Sequence, residues 1–352
     1  MAKVQWNRNR SIAPNIFESI GRTPLVRLNR IPQSEGVAKT EILVKLEFFS
    51  PSGSLKDRIY FNMFTRAERR GALKKGMTVL ECSTGNAGIA CSFVSAVKGY
   101  PCIIVMPEGM SEERKKTDLA YGAEMVYTPG GESDVDLALA KLEEIRRQNP
   151  KKYWVPSQFD NPDNIDAHFK TTGPEIYEQT SGKLDAYVAT QGTGGQITGI
   201  GKFLRKKNKK VALYAVEPAE CALLARREWG PHHIEGIGDG FVPRDLDLSV
   251  LTGIITVTSD EAIAMARRLS REEGIFCGMS SGANVVACLK LAKKFPKMKR
   301  IVSMICDNGG RYFSTAICGV EKHVEIPERE HPMDEYTRRQ LDKYQKHWVI
   351  ID

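Results

Sequence analysis

A lysine, a trio of hydroxyl and amide side chains and a run of glycines are the residues in this sequence whose types and spacing could do chemistry. Lys56 lies in SPSGSLKDR (50–58), behind Ser, Pro and Gly and after the apolar stretch Ile42-Leu43-Val44. A lysine at the start of a helix faces the positive end of the helix dipole, which is unfavourable and has no obvious structural benefit. Beside a carbonyl-bearing cofactor, however, a lysine with a depressed pKa can form a Schiff base. STGNAG (83–88) offers hydroxyl and amide donors at Ser83, Thr84 and Asn86 next to the first amides of a following helix, a good seat for a carboxylate. A plain helix cap needs only one such residue.

QGTGGQITG (191–199) lies between an apolar run and a helical stretch, where glycines let backbone amides approach a phosphate. A dinucleotide fingerprint would need glycine where Ile197 stands, and a P-loop would need glycine at Gln196, so both nucleotide readings fail on spacing. What survives is a phosphate cup of main-chain donors at Gly192, Thr193, Gly194, Gly195 and Gln196, with the Thr198 hydroxyl as a further donor. A tight turn packing a helix on its strand explains this stretch equally well when it is taken alone. A phosphate, an aldehyde-binding lysine and a carboxylate seat together point to pyridoxal phosphate.

The elements that must position these residues alternate. Apolar runs such as TVLEC (78–82), CIIVM (102–106), AYVAT (186–190) and IVSMIC (301–306) are separated by stretches of helical period, including NAGIACSFVSAVKG (86–99) and 259–273. This β-α-β rhythm predicts parallel sheets covered by helices on both faces, with ligands at the carboxyl ends of the strands. The stretch YWVPSQFDNPDNIDAH (153–168), rich in Pro, Asn and Asp, reads as an irregular crossing between two series. From about residue 320 the chain is charged and reads as an appendage ending in Trp348-Val349-Ile350-Ile351.

The chain has 352 residues, 41% hydrophobic and 27% charged, enough for about two domains folded by burial alone. No apolar run is long enough to span a bilayer, and MAKVQWNRNRSIAP lacks the features of a secretory signal, so a cytoplasmic protein is expected. The eight cysteines form no CxxC, and no histidine stands at metal-ligand spacing, so neither a disulfide frame nor a metal site is expected. The net charge of +8 is concentrated in KFLRKKNKK (202–210), which reads as the solvated end of a helix and not as a nucleic-acid surface.

Together with IGRTPLVRL (20–28), MPEGMSEERKK (106–116), YGAEMVYTPGG (121–131), QFDNPDNIDAHFKTTGPEI (158–176), GIGDGFVP (236–243) and CGMSSGAN (277–284), these blocks resemble the fold-type II pyridoxal-phosphate enzymes. The similarity is to the cysteine synthase and cystathionine β-synthase group and runs from about Asn15 to about Phe313. The resemblance implies an α/β fold of two domains, each with a mainly parallel twisted sheet flanked by helices, and an active site in the cleft between them. Residues 48–157 would form a smaller mobile domain carrying Lys56 and the STGNAG loop. Residues 11–47 and 158–318 would form the larger, phosphate-binding domain, and 319–352 a C-terminal tail.

The resemblance further implies that Lys56 bears the cofactor as an internal aldimine and acts as the catalytic base, while the amides of Gly192 to Gln196 hold its phosphate. Asn86 would bond the ring hydroxyl and Ser280 the pyridine nitrogen. The loop Ser83, Thr84, Gly85, Asn86 and Ala87, with Gln158, would take the substrate carboxylate. The reaction implied is β-replacement on a serine-type amino acid through an aminoacrylate: O-acetylserine and sulfide give cysteine, in a cytoplasmic homodimer that serves cysteine biosynthesis. Serine with homocysteine is the second choice, followed by O-phosphoserine or an amine nucleophile. A phosphorylated substrate would want an added cation in GIGDGFVP, which instead has an acid, Asp239. A retired enzyme used as a binding scaffold is the reading from another class. Three positions depart from the family pattern: Ala87 and Gln196 where threonine is usual, and Ser50 where asparagine is common.

Overall fold

Strands that are buried at every position must be covered on both faces. Thr78–Cys82 and Ala186–Thr190 are buried throughout their length. The computed structural model describes residues 12–131, 134–319 and 332–352. The first half of the chain runs β1 (Leu25–Arg27), α1 (Arg30–Ser34), β2 (Glu41–Leu46), α2 (Lys56–Arg69), β3 (Thr78–Cys82), α3 (Asn86–Lys98), β4 (Cys102–Pro107), α4 (Glu112–Ala120), β5 (Glu124–Thr128), α5 (Val135–Gln148) and β6 (Tyr153–Trp154). It continues with α6 (Pro162–Lys170), α7 (Thr172–Gln179), β7 (Ala186–Thr190), α8 (Gly195–Lys207), β8 (Ala212–Pro218), α9 (Leu223–Arg226), β9 (Gly253–Val257), α10 (Ser259–Glu273), α11 (Met279–Lys294), β10 (Arg300–Ile305), α12 (Glu335–Tyr344) and β11 (Val349–Ile351).

The strands form two sheets. The larger has the order β1-β2-β10-β7-β8-β9-β11, parallel except for β1, and the smaller has the order β5-β4-β3-β6, wholly parallel. Cores of Val, Ile, Leu and Ala lie between these sheets and their helices, one of them joining α10 and α11 to β2, β9 and β10.

Two parts of the sequence reading are corrected. The stretch 153–168 is not wholly irregular: Tyr153–Trp154 pairs with β3, and Asn161 caps α6 by accepting a bond from the Asp163 amide, with Pro162 opening the helix. The Asn-Pro pair that reads as loop punctuation is a helix start. The end of the chain is not an appendage either. Val349–Ile351 pairs in parallel with β9, because a β-branched run can occupy an edge that β9 would otherwise leave open. Residues 1–11, which include the first residue of the expected larger domain, and 320–331 of the expected tail lie outside the described residues. Among those described, no helix is long and apolar enough to cross a membrane.

Candidate active site

The SPSGSLKDR segment gives each of its three charged residues a different task. Gly53 adopts φ +86°, in the left-handed region, and the Leu55 amide donates to the Cys306 carbonyl at 2.9 Å, which clips the loop to the end of β10. Lys56 is thereby the first residue of α2 and lines the cleft. Asp57 turns back and accepts from the Ser52 amide at 2.7 Å, holding the loop closed; its burial pushes the carboxyl up to about 6. Arg58 points away from the cleft. Its guanidinium donates to the Glu47 and Glu175 carboxylates, each at 2.7 Å.

The cleft lies at the carboxyl ends of strands from both sheets. It is lined by Lys56, Ser83, Thr84, Gly85, Asn86, Ala87, Gln158, Gly192, Thr193, Gly194, Gln196 and Ser280, so nearly all of the residues singled out in the sequence meet there. The starts of α2, α3, α8 and α11 converge on it, and their dipoles and amides favour anionic groups.

The glycine turn has the form of a cup. A Cβ on Gly192 would stand 2.5 Å from the Gly236 carbonyl oxygen, one on Gly194 2.4 Å from the Leu246 Cβ, and one on Gly195 2.2 Å from the Asn164 side-chain oxygen. Gly194 also adopts φ +78°. Only glycine fits, and behind the turn the first amides of α8 have no intrahelical acceptor. A main-chain phosphate seat, with Lys56 lining the same cleft, fits a phosphate-bearing aldehyde. The Thr198 hydroxyl does not belong to this cup: it is fully buried and accepts from the Asp247 amide at 3.0 Å. Gln196 offers only its main chain, since its side-chain amide donates to the Tyr187 hydroxyl at 2.8 Å.

In the STGNAG loop, Ser83 acts as an internal cap: its hydroxyl oxygen accepts from the amides of Gly85 at 2.9 Å and Gly88 at 2.7 Å. Thr84 remains partly exposed at the cleft. The Asn86 side chain donates to Asp307 at 2.6 Å and accepts from Arg311. Gln158 donates to the Cys82 carbonyl at 3.0 Å. Ala87 is buried and brings no hydroxyl.

The sequence reading missed the residues that brace this loop. Arg114, in α4, is fully buried, lies 4.5 Å above the Tyr312 ring, and donates to the Thr84 carbonyl and the Glu235 carboxylate. A Cβ on Gly85 would fall 2.5 Å from the Arg114 Cδ, so glycine is what lets the arginine approach. Arg311 and Asp307 hold Asn86 from the far side. The signals were an arginine in SEERKK and an Arg-Tyr pair in GGRYF, each inside or beside a block already singled out. His168, also missed, lines the cleft and is kept neutral: burial, helped by the Arg58 charge, pushes it down to about 3. The cysteines play no nucleophilic part near the cleft. Burial raises Cys306 to about 12 and Cys277 well above its ordinary value.

Comparison with known proteins agrees with this geometry. A family described as pyridoxal-phosphate dependent enzyme matches residues 16–307. A cysteine synthase of Staphylococcus aureus is 42% identical over 304 residues, 86% of this chain and 96% of the relative. The crystal structure of O-acetyl serine sulfhydrylase isoform 3 from Entamoeba histolytica aligns with a TM-score of 0.82 and 41% identity, covering 95% of this chain and 97% of that one. A hydrogen sulfide-producing enzyme from Fusobacterium nucleatum aligns with a TM-score of 0.81 and 38% identity, covering 86% of this chain and 100% of that one.

Proposed function

We propose that this chain, which belongs to the pyridoxal-phosphate-dependent enzyme family, replaces the acetate of O-acetylserine with sulfide to give cysteine. The observation that carries the reading is the meeting of Lys56, the Ser83–Ala87 loop and the glycine cup in one cleft. The similarity to cysteine synthases supports the choice of substrates.

The Gly192–Gln196 amides would hold the cofactor phosphate, Lys56 its aldehyde, Asn86 its ring hydroxyl and Ser280 its ring nitrogen. When bound, pyridoxal phosphate supplies an electrophilic carbon for the substrate amine and a ring that withdraws electrons from Cα. The substrate carboxylate is taken by the Ser83–Ala87 loop, whose amides at the start of α3 favour a negative charge. Lys56 Nζ accepts the Cα proton and is the general base. Ser280 presents a neutral hydroxyl where a carboxylate would hold a proton on the ring. A weaker electron sink favours loss of the β-substituent over transamination.

The four strands of the smaller sheet fall within 48–157, which supports treating that segment as a domain that closes on the larger one (11–47 and 158–318) when the carboxylate binds. Within 319–352, the strand Val349–Ile351 serves as a brace for the larger sheet. Seven of the eight cysteines are buried and all are free, which fits a reducing compartment such as the cytoplasm. A homodimer is the expected assembly, checked by sedimentation.

The test is to mix the protein with O-acetylserine and sulfide, and to reduce the holoenzyme with borohydride before peptide mapping. Cysteine formation and a pyridoxyl group on Lys56 are expected. An unmodified Lys56 in active protein would overturn the assignment, and turnover of serine with homocysteine in place of O-acetylserine would change the substrate.

A further inference from the structure

The cleft is built for anions, yet one wall of it is acidic. Glu235 and Asp239 stand on the same segment, after β8, and both line the cleft. Glu235 is committed, since it pairs with Arg114. Asp239 is not. It is 6% exposed, and among the described residues its carboxylate makes no salt bridge; its hydrogen bond comes from its own backbone amide. Its Oδ2 lies 3.9 Å from where a Cβ on Gly192 would stand, at the mouth of the glycine cup. A buried carboxylate with no ion-pair partner among the described residues, in a cleft where it weakens anion binding, is a candidate for a part in the chemistry.

We propose that Asp239 sets the charge of the second substrate, so that the site takes neutral or cationic thiols and excludes anionic ones. This rests on the β-replacement reading above. A carboxylate in a cleft of reduced dielectric repels a second negative charge a few ångströms away strongly enough to change selectivity about 10- to 100-fold. The same group then has a use in the chemistry. A nucleophile that enters as hydrogen sulfide or as a neutral thiol must lose its proton as its sulfur lone pair forms the bond to the β-carbon. Acetate has by then left with the electron pair of its C–O bond, after Lys56 took the Cα proton; as the C–S bond forms, the S–H bond breaks, an O–H bond forms on Asp239, and the Cα proton returns from Lys56. Burial, opposed by the charge of Lys56, raises Asp239 to about 6, so it is ionised at neutral pH and able to receive that proton. The other titratable groups lining the cleft are Lys56, the neutral His168, the paired Glu235 and the inert thiol of Cys306.

Three small thiols of similar size separate charge from shape: cysteamine, 2-mercaptoethanol and mercaptoacetate, each competing for O-acetylserine with the holoenzyme, the products being counted by mass spectrometry. Comparing the product ratio between proteins cancels the intrinsic reactivity of each thiol. The wild type should disfavour mercaptoacetate. Asp239→Asn should raise the mercaptoacetate to 2-mercaptoethanol ratio tenfold or more and lower the cysteamine ratio, while Asp239→Glu should restore the wild-type order. Should Asp239→Asn fail to fold, as judged by melting and cofactor absorbance, the wild type alone decides. Its bias against mercaptoacetate should relax as the pH falls from 8 to 5, because mercaptoacetate keeps its charge over that range and Asp239 does not. Ratios unmoved by both substitution and pH overturn the inference while the β-replacement reading stands. Absence of any turnover of O-acetylserine by the wild type overturns both.

Discussion

Two groups of buried charges lie on either side of the first turn of α2, and they are built on opposite plans. Behind the turn, Arg58 bridges Glu47 and Glu175, and Lys45 pairs with Glu175 at 2.8 Å while donating to the Thr23 carbonyl. Every charge there has a partner. Burial alone would raise Glu47, but the Arg58 guanidinium outweighs it and the carboxyl is lowered; Glu175 is held down at about 2 by the same arginine against its own burial. In front of the turn, Asp239 faces the cleft with no ion pair among the described residues, and burial raises it to about 6. Charges that hold the fold are neutralised by one another, whereas a charge without a protein partner is available to a ligand.

Breaking the paired group should have the largest effect on stability. Arg58→Met leaves Glu47 fully buried and Glu175 largely buried without their main partner, so a loss of about 3–5 kcal/mol is expected in denaturant unfolding. Because Arg58 also joins α2 to α7 through Glu175, the variant should lose cofactor absorbance at lower denaturant than the wild type. A loss below about 1 kcal/mol would show that the ion cluster is not what seats the start of α2.

How much of this could be read beforehand depended on distance along the chain. Lys56, STGNAG and the glycine cup each lie within a few contiguous residues close to predicted strands, so each was legible as a site by itself, while the shared cleft was what the resemblance implied. The partners of Arg58 lie 11 and 117 residues away, and those of Arg114 30, 121 and 198 residues away. Periodicity does not register such pairs, since an arginine that pairs across the fold looks the same in a helix as one that faces water. The edge strand at Val349–Ile351 was missed for a related reason: whether a short β-branched run is a strand depends on an open edge formed by residues about 96 positions earlier.

A second substitution probes the cleft side without touching a charge. In Gly192→Ala the new methyl would stand 2.5 Å from the Gly236 carbonyl oxygen, and backbone cannot swing aside as a flexible side chain can. The segment carrying Glu235 and Asp239 has to shift. A destabilisation of about 1–3 kcal/mol is expected, together with weaker cofactor binding by roughly tenfold. Equilibrium dialysis of pyridoxal phosphate and a melting curve measure the two. Unchanged affinity would mean that the cup and the acidic wall are not mechanically joined.

The smallest effect separates the two groups most sharply, because their pH windows are opposite. Asp239 has a folded pKa of about 6, above its unfolded value of 3.8. It does not burden the fold below about pH 4, and stability is lost as the pH rises through 6 and the buried group ionises. Glu175, lowered to about 2, behaves the other way: its contribution is present above its ordinary 4.5 and is lost only as the pH falls toward 2. Asp239→Asn removes the ionisation, so the variant should be more stable than the wild type by about 1–2 kcal/mol at pH 8. That advantage should vanish by about pH 4, where both side chains are neutral. Glu175→Gln should show the reverse, a loss at about pH 8 that narrows only in strong acid. Chemical denaturation of the apoprotein across about pH 2 to 8 reads both curves. If Asp239→Asn destabilised equally at all pH values, the carboxylate would have a structural partner after all, and the division between paired and unpaired charge across α2 would no longer distinguish scaffold from site.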